Sequence, residues 1–196
     1  ATDANEAQSF TTATGTVEVA ADDGNGGGGI ILPPQPDPEP TPEFVEVPTE
    51  SVDENTQRAV KEGVNPGTKI TIPLSSTTEG QNSGYTFDRF NFSVKPTAVA
   101  DVDLTFTQRA TRPSDVKPVP TNDGGRTFMQ VDHPAELGEE VEDVSFDVTV
   151  SRDKLEKDNR DVEDVQFYRY DGKEASLMDA EVTEETDTTV TFTADS

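Results

Sequence analysis

The sequence predicts an all-β protein: an immunoglobulin-like β-sandwich preceded by an extended N-terminal strand on a Gly/Pro-rich linker. Three observations predict it. Apolar residues alternate at period two through the C-terminal two thirds, as half-buried strands require. Turn-forming clusters recur about every 8–12 residues, the rhythm of a sandwich. Composition changes abruptly between residues 22 and 43, which separates an N-terminal segment from the main domain.

Residues 1–21 contain the strand-like stretch Ser9-Phe10-Thr11-Thr12-Ala13-Thr14-Gly15-Thr16-Val17-Glu18-Val19, whose Thr and Val suit a pleated surface. Phe10, Thr12 and Thr14 share one parity and Val17 and Val19 the other; Gly15 between them can host a bulge that corrects the phase. Residues 22–43 read as a linker. Gly24-Asn25-Gly26-Gly27-Gly28-Gly29 is a flexible hinge, and the prolines from Pro33 to Pro42 favour polyproline II, at about 3.1 Å per residue. Ile30-Ile31-Leu32 is an apolar island there and is expected to dock.

Residues 44–196 form the β-domain. Phe44, Val45 and Val47 suit a short first strand, and Asp53 to Glu62 suits one or two helical turns stopped at Gly63. Ile70, Ile72 and Leu74 alternate, as do Phe90, Phe92 and Val94 after the turn Gln81-Asn82-Ser83-Gly84, and Val102, Leu104 and Phe106. Asn122-Asp123-Gly124-Gly125 is a hairpin signal, followed by Phe128 to Val131. Val144, Phe146, Val148 and Val150 alternate next. Ser151 to Asn159 is a polar, helix-compatible bend. Val165 to Tyr170, the turn Asp171-Gly172, Leu177 to Val182, and Val190 with Phe192 complete about eight or nine strands.

Charge narrows the function classes. Forty acidic residues against fifteen basic ones give a formal charge of −25. Repulsion on that scale opposes a compact state in dilute buffer. Molar salt shortens the Debye length to about 3 Å and relieves it, so a halophilic setting is expected. Nucleic acid and anionic membrane surfaces would be repelled. The longest apolar run is Ile30-Ile31-Leu32, so no membrane insertion is expected. Cysteine is absent, which excludes disulfides and thiolate metal sites. The chain begins Ala1-Thr2-Asp3 without an initiator Met, as a secreted protein does after signal-peptide removal.

Catalytic signatures are thin, and the expectation is a non-enzymatic protein. The single histidine, His133, sits beside Pro134, in a setting usual for a structural residue. Paired carboxylates arise everywhere in so acidic a chain, without the shaped, raised-pKa site that glycoside hydrolysis needs. Calcium, which takes hard oxygen ligands, is the candidate cofactor. Its candidate ligands are Asp101 with Asp103, and Glu139, Glu140, Glu142 and Asp143; Asp22-Asp23 and Asp161-Glu163-Asp164 are lesser clusters. None follows an EF-hand spacing, and a solvated acidic coat explains each cluster equally well. Asn91-Phe92-Ser93 is a glycosylation triplet with Asn91 on the outward parity.

From about Lys69 to Ser196 the chain resembles the haloarchaeal and methanogen surface module called the PGF-pre-PGF domain. The residues carrying the resemblance are Phe146-Asp147-Val148-Thr149-Val150, the polar bend with Leu155, Val165-Gln166-Phe167-Tyr168-Arg169-Tyr170-Asp171-Gly172, Leu177, and Thr189 to Ala194. The resemblance implies a secreted or cell-envelope β-domain with no catalytic residues to carry over. Its pattern continues past the Val190 strand with a short final strand, where this sequence ends at Asp195-Ser196. An open sheet edge and a gap in the core are therefore expected.

The N-terminal strand is the natural filler. Inserted into a neighbouring copy by donor-strand complementation, it would build a head-to-tail homopolymer. Phe10, Val17 and Val19 are the expected anchors, each contributing roughly 1.5–3 kcal/mol on burial. Phe146, Val190 and Phe192 are the expected acceptor region. Two other fates stay open: the strand folds back onto its own domain, or it is a free tail. The leading expectation is a structural subunit of an extracellular filament or biofilm matrix of a halophilic archaeon. The alternative is a monomeric cell-surface binding module, a glycan or surface-layer adhesin, for which the tyrosines Tyr85, Tyr168 and Tyr170 would supply an exposed aromatic platform.

Overall fold

Buried parity fixes which layer each strand joins. This computed structural model describes residues 42–114, 127–170 and 174–196. Residues 9–19, most of the linker, and the turns at 122–125 and 171–172 lie outside them. In chain order the strands are β1 (Phe44–Glu46), β2 (Thr49–Ser51), β3 (Thr56–Val64), β4 (Lys69–Pro73), β5 (Tyr85–Val94) and β6 (Ala100–Arg109). Then come β7 (Phe128–Asp132), β8 (Val141–Ser151), β9 (Tyr168–Tyr170), β10 (Ala175–Leu177), β11 (Asp179–Glu185) and β12 (Thr189–Asp195). Short helices α1 (Thr78–Ser83), α2 (Ala135–Glu140) and α3 (Arg152–Lys157) connect them.

The lower layer is a six-stranded sheet, β1-β4-β5-β8-β12-β11. The upper layer holds the four-stranded sheet β2-β3-β6-β7, and a separate two-stranded ribbon, β10-β9, covers the β12 side. β1 and β4 are parallel; the other described pairings are antiparallel. This is an all-β, sandwich-like fold, built from more and shorter strands than the periodicity predicts.

The main core lies between the two larger sheets. Val102, Leu104 and Phe106 of β6 meet Ile70, Ile72, Phe90 and Phe92 of β4 and β5, all buried. The Phe106 ring lies edge-on to Phe90 at 5.3 Å, a favoured aromatic geometry. A second cluster holds Val150, Leu155, Val190 and Phe192, covered by Val162, Val165 and Phe167 on the way to β9. Buried Gln108 joins α1 to both layers. It accepts from Thr77 Oγ1 (2.7 Å) and donates to the Tyr85 carbonyl (2.7 Å) and to Thr127 Oγ1 (3.1 Å), which satisfies a polar group that would otherwise be costly to bury.

Three expectations are corrected. Residues Asp53–Glu62 are not helical: Thr56–Val64 is β3, with Gln57 and Ala59 buried against exposed Arg58 and Val60. Period-two burial against β6 overrides the helical preference of an Arg/Ala/Lys/Glu stretch. Its end at Gly63 is a β-irregularity, with φ of 62° and an N–H donated to Asp101 Oδ1. The turn at Gln81–Gly84 is the end of α1: Thr77 caps its start through Gly80 N, and Gly84 closes it at φ 74°. The open edge is not beside the Val190 strand, because β12 has β8 on one side and β11 on the other. Asp179–Glu185 folds back and takes the edge that the sequence leaves unassigned.

Candidate functional site: an open lane in the upper layer

The upper layer is interrupted. β7 ends the four-stranded sheet and β9 ends the ribbon, and neither has a partner on its far side among the described residues. Both strands line one cavity of about 1110 Å³, whereas no β10 residue is among its described lining. The two free edges therefore flank the same space. A strand edge without a ladder partner is the ordinary template for an added strand.

The floor is apolar and comes from the lower sheet: Phe87 and Phe90 of β5, Val144, Phe146 and Val148 of β8, and Ala194 of β12. Phe146 lies 4.7 Å from Phe90 and 5.8 Å, edge-on, from Phe87. Met129 and Val131 form one wall; they share the inward parity of β7 because they oppose buried Gln108 and Phe106 across the sheet. Phe167 and Tyr168 form the other wall, and Phe128 and Tyr170 stand at the rim. The cavity reaches from Tyr85 and Leu155 to Leu137 and Val141, the length of β8. Its volume is near the upper end of the roughly 300–1,000 Å³ of small-molecule pockets, and its lining follows the length of β8.

The expected site residues among the described ones can be placed. Phe146 is in the floor. Val190 and Phe192 are 0% and 4% exposed; Phe192 is roofed by Phe167 at 5.5 Å, so they support the floor from within the core. Phe10, Val17 and Val19 lie outside the described residues. Met129, Val131, Phe87 and Val144 were not among the expected site residues, although Val144 and the stretch Phe128 to Val131 were read as strand. Tyr85, Tyr168 and Tyr170 are all half-buried and form no exposed platform.

The carboxylates thought to bind calcium are occupied or scattered. Asp103 accepts two bonds from Arg58, at 2.8 and 2.7 Å, and this pairing holds its carboxyl below the ordinary range. Asp101 accepts from Gly63 N at 2.7 Å. Glu139 and Glu140 are on α2, and Glu142 and Asp143 open β8. No three acidic or histidine residues converge as a metal site among the described residues. Asn91 is half-buried in mid-β5, between Thr71 and Ser145, with Ser93 of its triplet buried. His133 Nδ1 lies 2.8 Å from the Pro134 carbonyl at the cavity mouth.

On the opposite face of the lower sheet, burial pushes the Asp88 carboxyl up. The Thr149 hydroxyl, 2.6 Å from Asp88 Oδ2, opposes this, and the Asp147 charge adds to it. The folded chain thus holds this proton more tightly than the unfolded chain, so stability from Asp88 is present at acid pH and lost as pH rises through the raised value. Asp88→Asn is expected to raise Tm at neutral pH, with the gain shrinking to nothing below about pH 4, where both forms are neutral. Melting curves across pH check this; a lower Tm for the variant at neutral pH contradicts it.

No protein-family model matches the chain, and neither a curated protein nor a solved structure was found to be similar to it.

Proposed function

We propose that this chain is a structural subunit of an extracellular or cell-surface filament or biofilm matrix of a halophilic archaeon, joined by donor-strand complementation. Residues 9–19 of one copy occupy the lane of the next. The observation that supports this reading is the lane itself: two open strand edges flanking one elongated, apolar-floored cavity. The donor suits the apolar floor chemically. Of residues 9–19 only Glu18 is charged, in a chain where 28% of residues are, and it has the parity opposite to its neighbours Val17 and Val19, so the anchors can be buried without an ion.

The test is light scattering in molar salt. The full chain is expected to form high-mass species. Val131→Asp, which puts a charge on the lane wall, is expected to leave a folded monomer by circular dichroism. A synthetic peptide of residues 8–20 should shorten the wild-type polymers by capping lanes. A wild-type chain that stays monomeric at every concentration overturns the reading. In that event the second reading, a monomeric binding module for glycans, takes its place, with the half-buried rim aromatics Phe128 and Tyr170 as the surface to test.

A further inference from the structure

We infer that the cavity binds an elongated apolar organic cation, its chain along the floor and its charged head at the Glu142–Asp143 rim. This site does not depend on strand donation. One copy suffices, and a ligand and a strand would exclude one another.

The lining has the composition of an adaptable binding site. All three tyrosines of the chain, Tyr85, Tyr168 and Tyr170, border the cavity, and so do both methionines, Met129 and Met178. Tyrosine joins a large apolar face to a polar tip. Methionine is flexible and polarisable and packs against varied partners. All five are half-buried, as the walls of an open cavity are. Burial raises the pKa of the Tyr85 hydroxyl, which marks that end as poorly solvated.

Shape selects an elongated body. The lining follows β8 from Val141 to Val148, a stretch about 24 Å long at the ordinary strand rise. An alkyl chain laid there rests on Val144, Phe146 and Val148, between Met129 and Phe167.

Charge selects the sign. At the Val141 end the described lining holds three carboxylates, Asp132, Glu142 and Asp143, against the guanidinium of Arg169 and the formally neutral His133. Asp132 accepts from the Gln130 amide at 2.9 Å, and Arg169 donates to Ser196 Oγ at 2.9 Å. Nearby Lys95 turns its Nζ to the Glu139 carbonyl at 2.6 Å. At the Tyr85 end Arg160 faces Glu163 and Asp164, and Asp164 already accepts from the Asp161 N–H at 2.9 Å, so that end is closer to balance. Glu142 and Asp143 are exposed, so a cationic head beside them stays hydrated while its chain is buried, as amphipathic groups prefer. Molar salt shortens the Debye length to about 3 Å. Only charges in near contact then discriminate, which makes the rim pair the selector. Aromatic faces add attraction for a cation.

The chain has no tryptophan, and its three tyrosines all border the cavity, so intrinsic fluorescence reports on this site. The full chain in molar salt, below the concentration at which polymers form, is titrated with octyltrimethylammonium or octyl sulfate, two probes with one chain and opposite heads. Tyrosine emission is expected to change saturably, with the cation binding about fivefold tighter than the sulfate. Glu142→Gln combined with Asp143→Asn is expected to bring the two affinities within about twofold. Asn is tolerated at the positive φ of 53° at position 143, so the variant keeps its fold, which circular dichroism checks. No saturable change with either probe overturns the site. Equal binding of the two probes by the wild type, or tighter binding of the sulfate, overturns the choice of a cation. An unaltered preference in the double variant overturns the Glu142–Asp143 rim as the head's position. Light scattering separates this site from strand donation: a chain that never polymerises yet binds the cation loses the filament reading and keeps the site, and a chain that polymerises without binding does the reverse.

Discussion

Phe106→Ala is expected to lower stability by about 3–5 kcal/mol, the cost of emptying a large buried aromatic site. The residue is 1% exposed at the middle of β6, between Gln57 of β3 and Val131 of β7. Its ring is held against Phe90 of the facing sheet, so the two layers lose a shared contact and not merely apolar area. For a domain of this size each kcal/mol shifts Tm by about 2–4 °C, which puts the drop at about 6–20 °C. Val60→Ala on the adjacent strand is the control. That side chain is 53% exposed, and surface changes of this kind stay within about 0.5 kcal/mol. Equal melting temperatures for the two variants would show that Phe106 does not join the sheets.

Lowering salt is expected to produce the second large effect. A like-charge pair 10 Å apart in water repels by about 0.4 kcal/mol before screening. With a formal charge of −25, many such pairs add, and the compact state suffers more than the expanded one. Raising ionic strength from 0.1 to 1 M shortens the Debye length from about 10 to about 3 Å. A difference of about 5 kcal/mol in net repulsion corresponds to a Tm change of about 10–20 °C. The ion pairs do little to offset this: Arg58–Asp103 is half-exposed, and solvent screens such surface pairs. Melting curves in sodium and potassium chloride measure the effect. A flat Tm across that range would remove the case for a halophilic setting.

The strands legible in the sequence were those with one wet face. Ile70/Ile72, Phe90/Phe92/Val94, Val102/Leu104/Phe106 and Phe146/Val148/Val150 alternate because each faces one core, and period two survives in the text. β3 was hidden because its buried positions include Gln57, whose side-chain amide donates to the Ser75 carbonyl at 2.7 Å and which reads as polar. β11 was legible only in its first half, within the stretch Leu177 to Val182; it buries nothing, so its continuation to Glu185 leaves no alternation. The cavity beside β7 and β9 was not legible. Its walls come from β7 and β9, strands far apart in sequence, and their free edges are a property of backbone pairing that side-chain patterns do not record. Phe146 was legible as a lane residue; Val190 and Phe192 carry the same alternation but lie under Phe167.

Every residue of β11 is exposed, among them Asp179, Glu181, Glu184 and Glu185, and its ladder to β12 breaks register between Val182 and Glu184. Such an edge repels its own image and is too irregular to extend a sheet sideways. Fusion of two copies along this margin would bring rows of carboxylates together. Charge and broken register on this margin thus oppose joining two copies edge to edge along β11.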